Sequence, residues 1–267
     1  MQHMETTLGS KQMSEPLLVI DGIDKNFGGV QAVKGLSFSI KPAEVIGLIG
    51  PNGSGKSTSV NLISGTLPVS AGSIQFAGRS VNALNISERV PLGLTRTFQT
   101  TALFAECTVL EQVLTAGHTS FVTAPWAAVL RTKAAREEEA RQRAKAHELL
   151  QFVGLADVAD QLTSAISSAQ QRLLMIASAL ASDPKLVLLD EPAAGMVAKE
   201  RKELSRLIMG IRDRGIAVLV IEHHMGLIME VCERIVVLNF GQKIAEGTPA
   251  EIRANPAVID AYLGGAH

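Results

Sequence analysis

An α/β fold with a mainly parallel sheet is predicted by three features of the chain. Apolar strands alternate with helices beyond Ser167, a glycine-rich turn near residue 50 joins an apolar run to a helix, and another apolar run ends in paired acids at 190 and 191. Such alternation means parallel strands with helices covering both faces of the sheet.

The elements follow in order. Residues 1–16 form a polar tail containing Met1, Met4 and Met13 and are expected to be mobile. Leu17-Leu18-Val19-Ile20 and Leu36-Ser37-Phe38-Ser39-Ile40 read as strands joined by a turn at Phe27-Gly28-Gly29, and Val45-Ile46-Gly47-Leu48-Ile49 as the next strand. A helix is expected from Lys56 to Gly65, then short strands at 73–77 and 94–98. From about Thr108 the apolar period changes from two to near 3.6. Arg131 to Val153 reads as an amphipathic helix whose solvated face carries Glu137 and Arg141, and Glu139 and Arg143, at i,i+4. A loop at Thr123-Ala124-Pro125-Trp126 carries the single tryptophan, read as packed between helices. Beyond Ser167 come a helix to about Ala181, a strand Leu186 to Leu189, a helix Ala198 to Arg212, and strands Ala217 to Ile221 and Ile235 to Leu238. The helical stretch from about 100 to 165 is then an insertion between halves of the sheet, within one domain over 17–267.

Composition narrows the functional classes. With 267 residues and 46% hydrophobic content, a sizeable core is assured and disorder is excluded. Lys and Arg number 25 against 26 Asp and Glu, so no global basic field exists to hold nucleic acid. No apolar stretch approaches the roughly 20 residues that span a bilayer, and residues 1–16 lack the apolar centre of a signal peptide. A cytoplasmic, soluble chain is expected. Cys107 and Cys232 have neither paired nor metal-like spacing and are read as reduced, packed thiols.

The glycine-rich turn, Gly50-Pro51-Asn52-Gly53-Ser54-Gly55-Lys56-Ser57-Thr58, matches a phosphate-cradling loop and implies binding of a nucleoside triphosphate. Glycines at 50, 53 and 55 let the backbone bend so that successive N–H groups meet phosphate oxygens at the positive end of a helix dipole. Lys56 adds a mobile charge for the β- and γ-phosphates, and Ser57 a hydroxyl for Mg²⁺.

The run Leu186-Val187-Leu188-Leu189-Asp190-Glu191 brings two acids to the C-terminal edge of the sheet, where ligands bind in open α/β folds. Asp190 can hold Mg²⁺ through water. Glu191 can orient and deprotonate an attacking water, a role that contributes ~10²- to 10⁴-fold.

In their order, these motifs resemble those of the nucleotide-binding subunits of ATP-binding-cassette (ABC) transporters, over essentially the whole chain after residue 16. The resemblance implies a RecA-like P-loop core, an N-terminal antiparallel β subdomain, an inserted α-helical subdomain, and ATP hydrolysis with Mg²⁺. It also implies that Phe27 stacks on adenine, that Gln99 in Arg96-Thr97-Phe98-Gln99 senses Mg²⁺ and the membrane partner, and that His223 contacts the γ-phosphate. Leu150-Gln151-Phe152-Val153-Gly154-Leu155, Asp190 through Met196, and the ending from Glu246 to Gly264 are similar to branched-chain or hydrophobic amino-acid uptake ATPases. The implied partners are a second ABC ATPase subunit, membrane permease subunits and, indirectly, a periplasmic or extracellular solute-binding protein. The chain would lie on the cytoplasmic face of the membrane. The solute would touch the other components and never this chain.

Apart from His224, the main departures from the family lie on parts that serve the partner's nucleotide. The signature, ordinarily Leu-Ser-X-Gly-Gln, is here Ile166-Ser167-Ser168-Ala169-Gln170, so a Cβ stands where a phosphate oxygen should approach. Val197 and His224 replace the usual Asn or Asp and Asp, and Leu173, Met175 and Ser178 stand where charged residues are usual. Two readings stay open. In an asymmetric heterodimer the partner's ATP meets a signature weakened by about 1.5–3 kcal/mol; alternatively Ala169 is tolerated and both sites work. A regulatory subunit with little turnover is a further alternative, against which Glu191 and His223 argue. A non-transport ABC ATPase is disfavoured by the single phosphate loop and the lack of a basic patch, and a nucleotide kinase by the lack of an arginine-rich lid.

Overall fold

The computed structural model describes residues 15–97, 103–117 and 133–263. Gln99, Trp126 and the first fourteen residues of the tail lie outside the described residues. The expected α/β architecture is present as two sheets. The first is antiparallel, with β1 (Leu18–Phe27), β2 (Val30–Ile40), β4 (Ala71–Phe76) and β5 (Arg79–Ser80) in the order β2-β1-β4-β5. The second contains β3 (Val45–Ile49), β6 (Leu94–Arg96), β7 (Leu186–Asp190), β8 (Ala217–Ile221), β9 (Arg234–Asn239) and β10 (Gln242–Gly247). Its order is β10-β9-β3-β8-β7-β6, and every neighbouring pair is parallel except β10 with β9.

Every residue of β3, β7 and β8 is buried, which is why these strands read as unbroken apolar runs. Alternation along each strand divides the core in two. Ile46, Leu48, Leu186, Leu188 and Leu219 face the antiparallel sheet and helix α1 (Lys56–Ser64). Val45, Ile49, Val187, Leu189 and Val220 face the opposite layer of helices. That layer includes α3 (Val109–Ala116), α4 (Lys133–Phe152), α5 (Ser168–Leu180), α6 (Ala198–Asp213) and α7 (Met225–Val231), numbered after the short α2 (Ile86–Arg89).

Several elements differ from the sequence expectation. β1 and β2 run much longer, because backbone pairing carries them past their apolar cores to the turn at Gly28 and Gly29. An ion pair on α4 joins Lys133 to Glu137 at 3.8 Å, one turn before the pair expected between Glu137 and Arg141. The antiparallel β10 and helices α8 (Pro249–Ala254) and α9 (Pro256–Leu263) extend the fold beyond the last expected strand.

Two arginines tie the layers together. Arg89 is buried and donates to the carbonyls of Leu62 (2.9 Å), Ile63 (2.6 Å), Val81 (2.7 Å) and Leu84 (3.0 Å), closing the C-terminal end of α1. Burial pushes its guanidinium down to about 10, so it is charged at neutral pH. Arg234 pairs with Glu44 at 2.9 Å and with Glu246, and donates to the Ser39 carbonyl.

Candidate nucleotide site

Three neighbouring strands, β3, β8 and β7, deliver the phosphate loop, His223 and the acid pair to one edge of the sheet. Gly50 leaves β3 at φ 153°, and a Cβ there would lie 2.2 Å from the Leu238 carbonyl oxygen. Gly55 sits at φ 99°, where a Cβ would meet the Ala32 carbonyl at 2.6 Å. The loop is therefore wedged between β9 and β2, and the Gly241 N–H braces it by donating to Ser54 O at 3.0 Å. Helix α1 starts at Lys56 with no side-chain cap and no acid in its first turn. Its unpaired N–H groups and positive dipole end suit a bound anion. The buried Ser54 hydroxyl has no hydrogen-bond partner among the described residues.

Lys56 bends back over the loop, its Nζ donating to Gly50 O at 2.8 Å and Pro51 O at 3.0 Å. Burial lowers its ammonium from the usual value, while Glu191 and Asp190 act in the opposite sense. A cavity of about 1070 Å³ adjoins the loop, lined in part by Asn52, Gly53, His223, Phe240 and Tyr262. Burial raises the Tyr262 phenol from its ordinary value, and the Gly50 N–H facing it pulls the other way.

Asp190 ends β7 with its side chain 5% exposed, and its Oδ2 pairs with Arg96 Nη2 at 2.6 Å. Arg96 reaches Asn61 of α1 as well, so one guanidinium spans the helix that leaves the phosphate loop and the first acid. Glu191 takes a left-handed conformation, φ 48°, and its N–H donates to Ile221 O at 2.9 Å. The turn aims Glu191 out of the sheet, 3.9 Å from His223 Nδ1 and close enough to Lys56 to influence it. Glu222, given no role by the sequence, has a fully buried side chain that accepts three backbone N–H groups.

Phe27 is 47% exposed at the end of β1, with Lys25 Nζ 5.2 Å from its ring centre. Ser167 and Gln170 satisfy one another in a capping box at the start of α5: Ser167 N–H donates to Gln170 Oε1 at 2.9 Å, and Gln170 N–H to Ser167 Oγ at 3.3 Å. Ser168 is exposed, while Ala169 is half-buried and packs against the helix-side core. Val197 is exposed and carries no acceptor, so Glu200 alone caps that helix start through Val197 N–H. His224 is the N-cap of α7, its Nδ1 accepting the Leu227 N–H at 3.3 Å. Sequence reading missed Arg96, Glu222 and Tyr262. Arg96 and Tyr262 stand inside stretches that carry the family resemblance, but only through-space partners reveal a role for any of the three.

A mainly parallel sheet with this loop at the end of one strand and paired acids at the end of another is the arrangement of a phosphate-loop nucleoside triphosphatase fold. Comparison with known families is more specific: residues 33–194 match the ABC transporter model, and residues 242–267 match that of the branched-chain amino acid ATP-binding cassette transporter. The chain belongs to the ABC transporter ATP-binding family, whose members bind ATP as the energising subunit. It is 40% identical to the high-affinity branched-chain amino acid transport ATP-binding protein LivG of Salmonella typhimurium over 94% of this chain and 99% of that one. The corresponding protein BraF of Pseudomonas aeruginosa is 38% identical, over 94% and 99%. The ADP conformation of MJ1267, an ATP-binding cassette of an ABC transporter, superposes with TM-score 0.82 at 31% identity, over 94% of this chain and 100% of that one. No helix among the described residues is long and apolar enough to cross a membrane.

Proposed function

We propose that this chain hydrolyses Mg·ATP to drive uptake of branched-chain or related hydrophobic amino acids or amides through permease subunits. The observation that carries the chemistry is the convergence of Lys56, Asp190, Glu191 and His223 beside an uncapped helix start. The match of residues 242–267 and the named relatives support the solute class.

The geometry supports the following roles. Backbone N–H groups from Gly53 to Thr58 and the Ser54 hydroxyl receive phosphate oxygens, and Lys56 exchanges its loop carbonyls for the β- and γ-phosphates. Phe27 offers its exposed face to adenine. Glu191 takes the proton of the attacking water, and His223 holds the γ-phosphate. The hard oxygen donors of Ser57 and Asp190, with Gln99 from outside the described residues, fit Mg²⁺. Bound there, it would neutralise charge on the β- and γ-phosphate oxygens.

A second ATPase subunit supplies the signature opposite this chain's ATP, while Ser167, Ser168, Ala169 and Gln170 face the partner's ATP. The permeases then hold the chain at the cytoplasmic membrane face, and a solute-binding protein delivers the solute on the other side. Ala169 motivates an asymmetric pair with one impaired site. Its packing against the chain's own core favours the second reading, in which the methyl is accommodated and both sites turn over. Mg·ATP hydrolysis by the chain alone, then with its partner and permeases, tests these readings. Activity alone that rises with the square of concentration means a working homodimer. Turnover only with the partner means a borrowed signature, and no turnover in either setting refutes the enzymatic role.

A further inference from the structure

Glu222 follows β8 directly, and its side chain is 0% exposed. One oxygen, Oε1, accepts the Ala193 N–H at 2.8 Å. The other, Oε2, accepts the N–H groups of His223 at 3.0 Å and His224 at 3.1 Å. Ala193 lies two residues beyond Glu191 in the turn that follows β7. One carboxylate therefore spans the turn carrying the base and the turn carrying the histidine. Charge-assisted bonds in a buried setting are stronger and more directional than neutral ones. The backbone adds a tie nearby, from Glu191 N–H to Ile221 O at 2.9 Å. A neutral side chain with one acceptor oxygen could serve only one of the two turns.

We propose that Glu222 is a positioning residue for hydrolysis, a buried clamp that sets the placement of the Glu191 carboxylate relative to the His223 imidazole. The proposal rests on Glu191 as base and His223 as the γ-phosphate contact. Most of the proposed ATP contacts lie in the phosphate loop and at Phe27, away from the three N–H groups that Glu222 accepts. Loss of the clamp therefore acts on the chemical step, where a displacement of about 1 Å costs on the order of 10²-fold.

The test uses the full chain assembled with its partner and permeases. Glu222→Gln keeps the size but turns an amide N–H against a backbone N–H. Glu222→Asp keeps both oxygens but is too short to span the turns. Both are expected to lower kcat by roughly 10- to 100-fold and to leave the KM for Mg·ATP within about twofold. Amide exchange at Ala193, His223 and His224 should accelerate, with protection retained across Ala217–Ile221. A kcat within twofold of wild type overturns the proposal. So does a loss of kcat accompanied by weakened ATP binding and loss of protection throughout β8, which marks a merely structural role. If neither variant folds, fast exchange of the three amides in the wild-type chain overturns it equally. Glu191→Gln, measured alongside, separates the failures: wild-type turnover there refutes the base assignment itself. A stalled Glu191→Gln beside a fully active Glu222→Gln refutes the clamp alone.

Discussion

Arg96 and Asp190, 94 positions apart in sequence, form an ion pair at 2.6 Å with both side chains almost wholly buried. Arg96→Ala would leave the carboxylate without its countercharge, a change that costs about 3–5 kcal/mol when a buried pair is broken. Urea denaturation should register that loss. Arg96→Lys should fall between it and wild type, because an ammonium cannot serve Asp190 and Asn61 as a planar fork does. A loss below about 1 kcal/mol for Arg96→Ala would show that solvent already screens the pair.

The loop glycines should respond unequally. Gly53→Ala meets nothing within 4 Å and bears only the left-handed backbone at φ 77°, a cost of about 1–2 kcal/mol. Gly50→Ala drives a methyl into the Leu238 carbonyl at 2.2 Å and has to displace the loop. Titration with a fluorescent ATP analogue should find binding retained in Gly53→Ala and lost in Gly50→Ala. Equal affinities would contradict the observed seating of the loop.

Chemistry and binding should separate at Glu191 and Lys56. Glu191→Gln is expected to bind ATP normally and accumulate a stalled dimer, with turnover reduced by ~10²- to 10⁴-fold. Lys56→Ala should instead lose nucleotide affinity. Isothermal titration beside a phosphate-release assay distinguishes them, and tight ATP binding by Lys56→Ala would undo its assigned role.

Alkaline pH should weaken the fold through Cys232. Burial, aided by Glu233, pushes this thiol from 9.0 up to about 12. The unfolded thiol thus ionises first, and stability is lost as pH rises from about 9 towards 12, by about 1.4 kcal/mol per unit. Cys232→Ala should flatten the pH dependence of urea midpoints in that window. At pH 8 a maleimide should leave Cys232 unmodified in the native chain and label it on unfolding.

Ala169→Gly tests the signature in the assembled transporter. If the methyl obstructs the partner's phosphate, turnover should rise as about 1.5–3 kcal/mol of contact is restored. Unchanged turnover, with up to about 1 kcal/mol lost from the helix start, supports accommodation.

The phosphate loop, the buried strands and the acid pair were legible in the sequence because each is local. Glycines within a few residues shape one turn, and strands buried on both faces need unbroken apolar runs. Ser167 and Gln170 match the stretch expected to meet the partner's phosphate, yet their own hydrogen bonds also make them a helix cap, an equally local pattern. Other features depend on contacts that a linear reading cannot supply. Arg96 acquires its meaning from Asp190, Glu222 from Ala193, and Tyr262 from the Gly50 N–H. The exposed polar edge of β10 carries no apolar run, so its pairing with β9 was invisible as well. By itself, then, the sequence determined the fold class and the family, and named the candidate groups for binding and reaction. Only the tertiary structure decided how those groups are held, because a buried charge is stable only where folding brings distant donors to it.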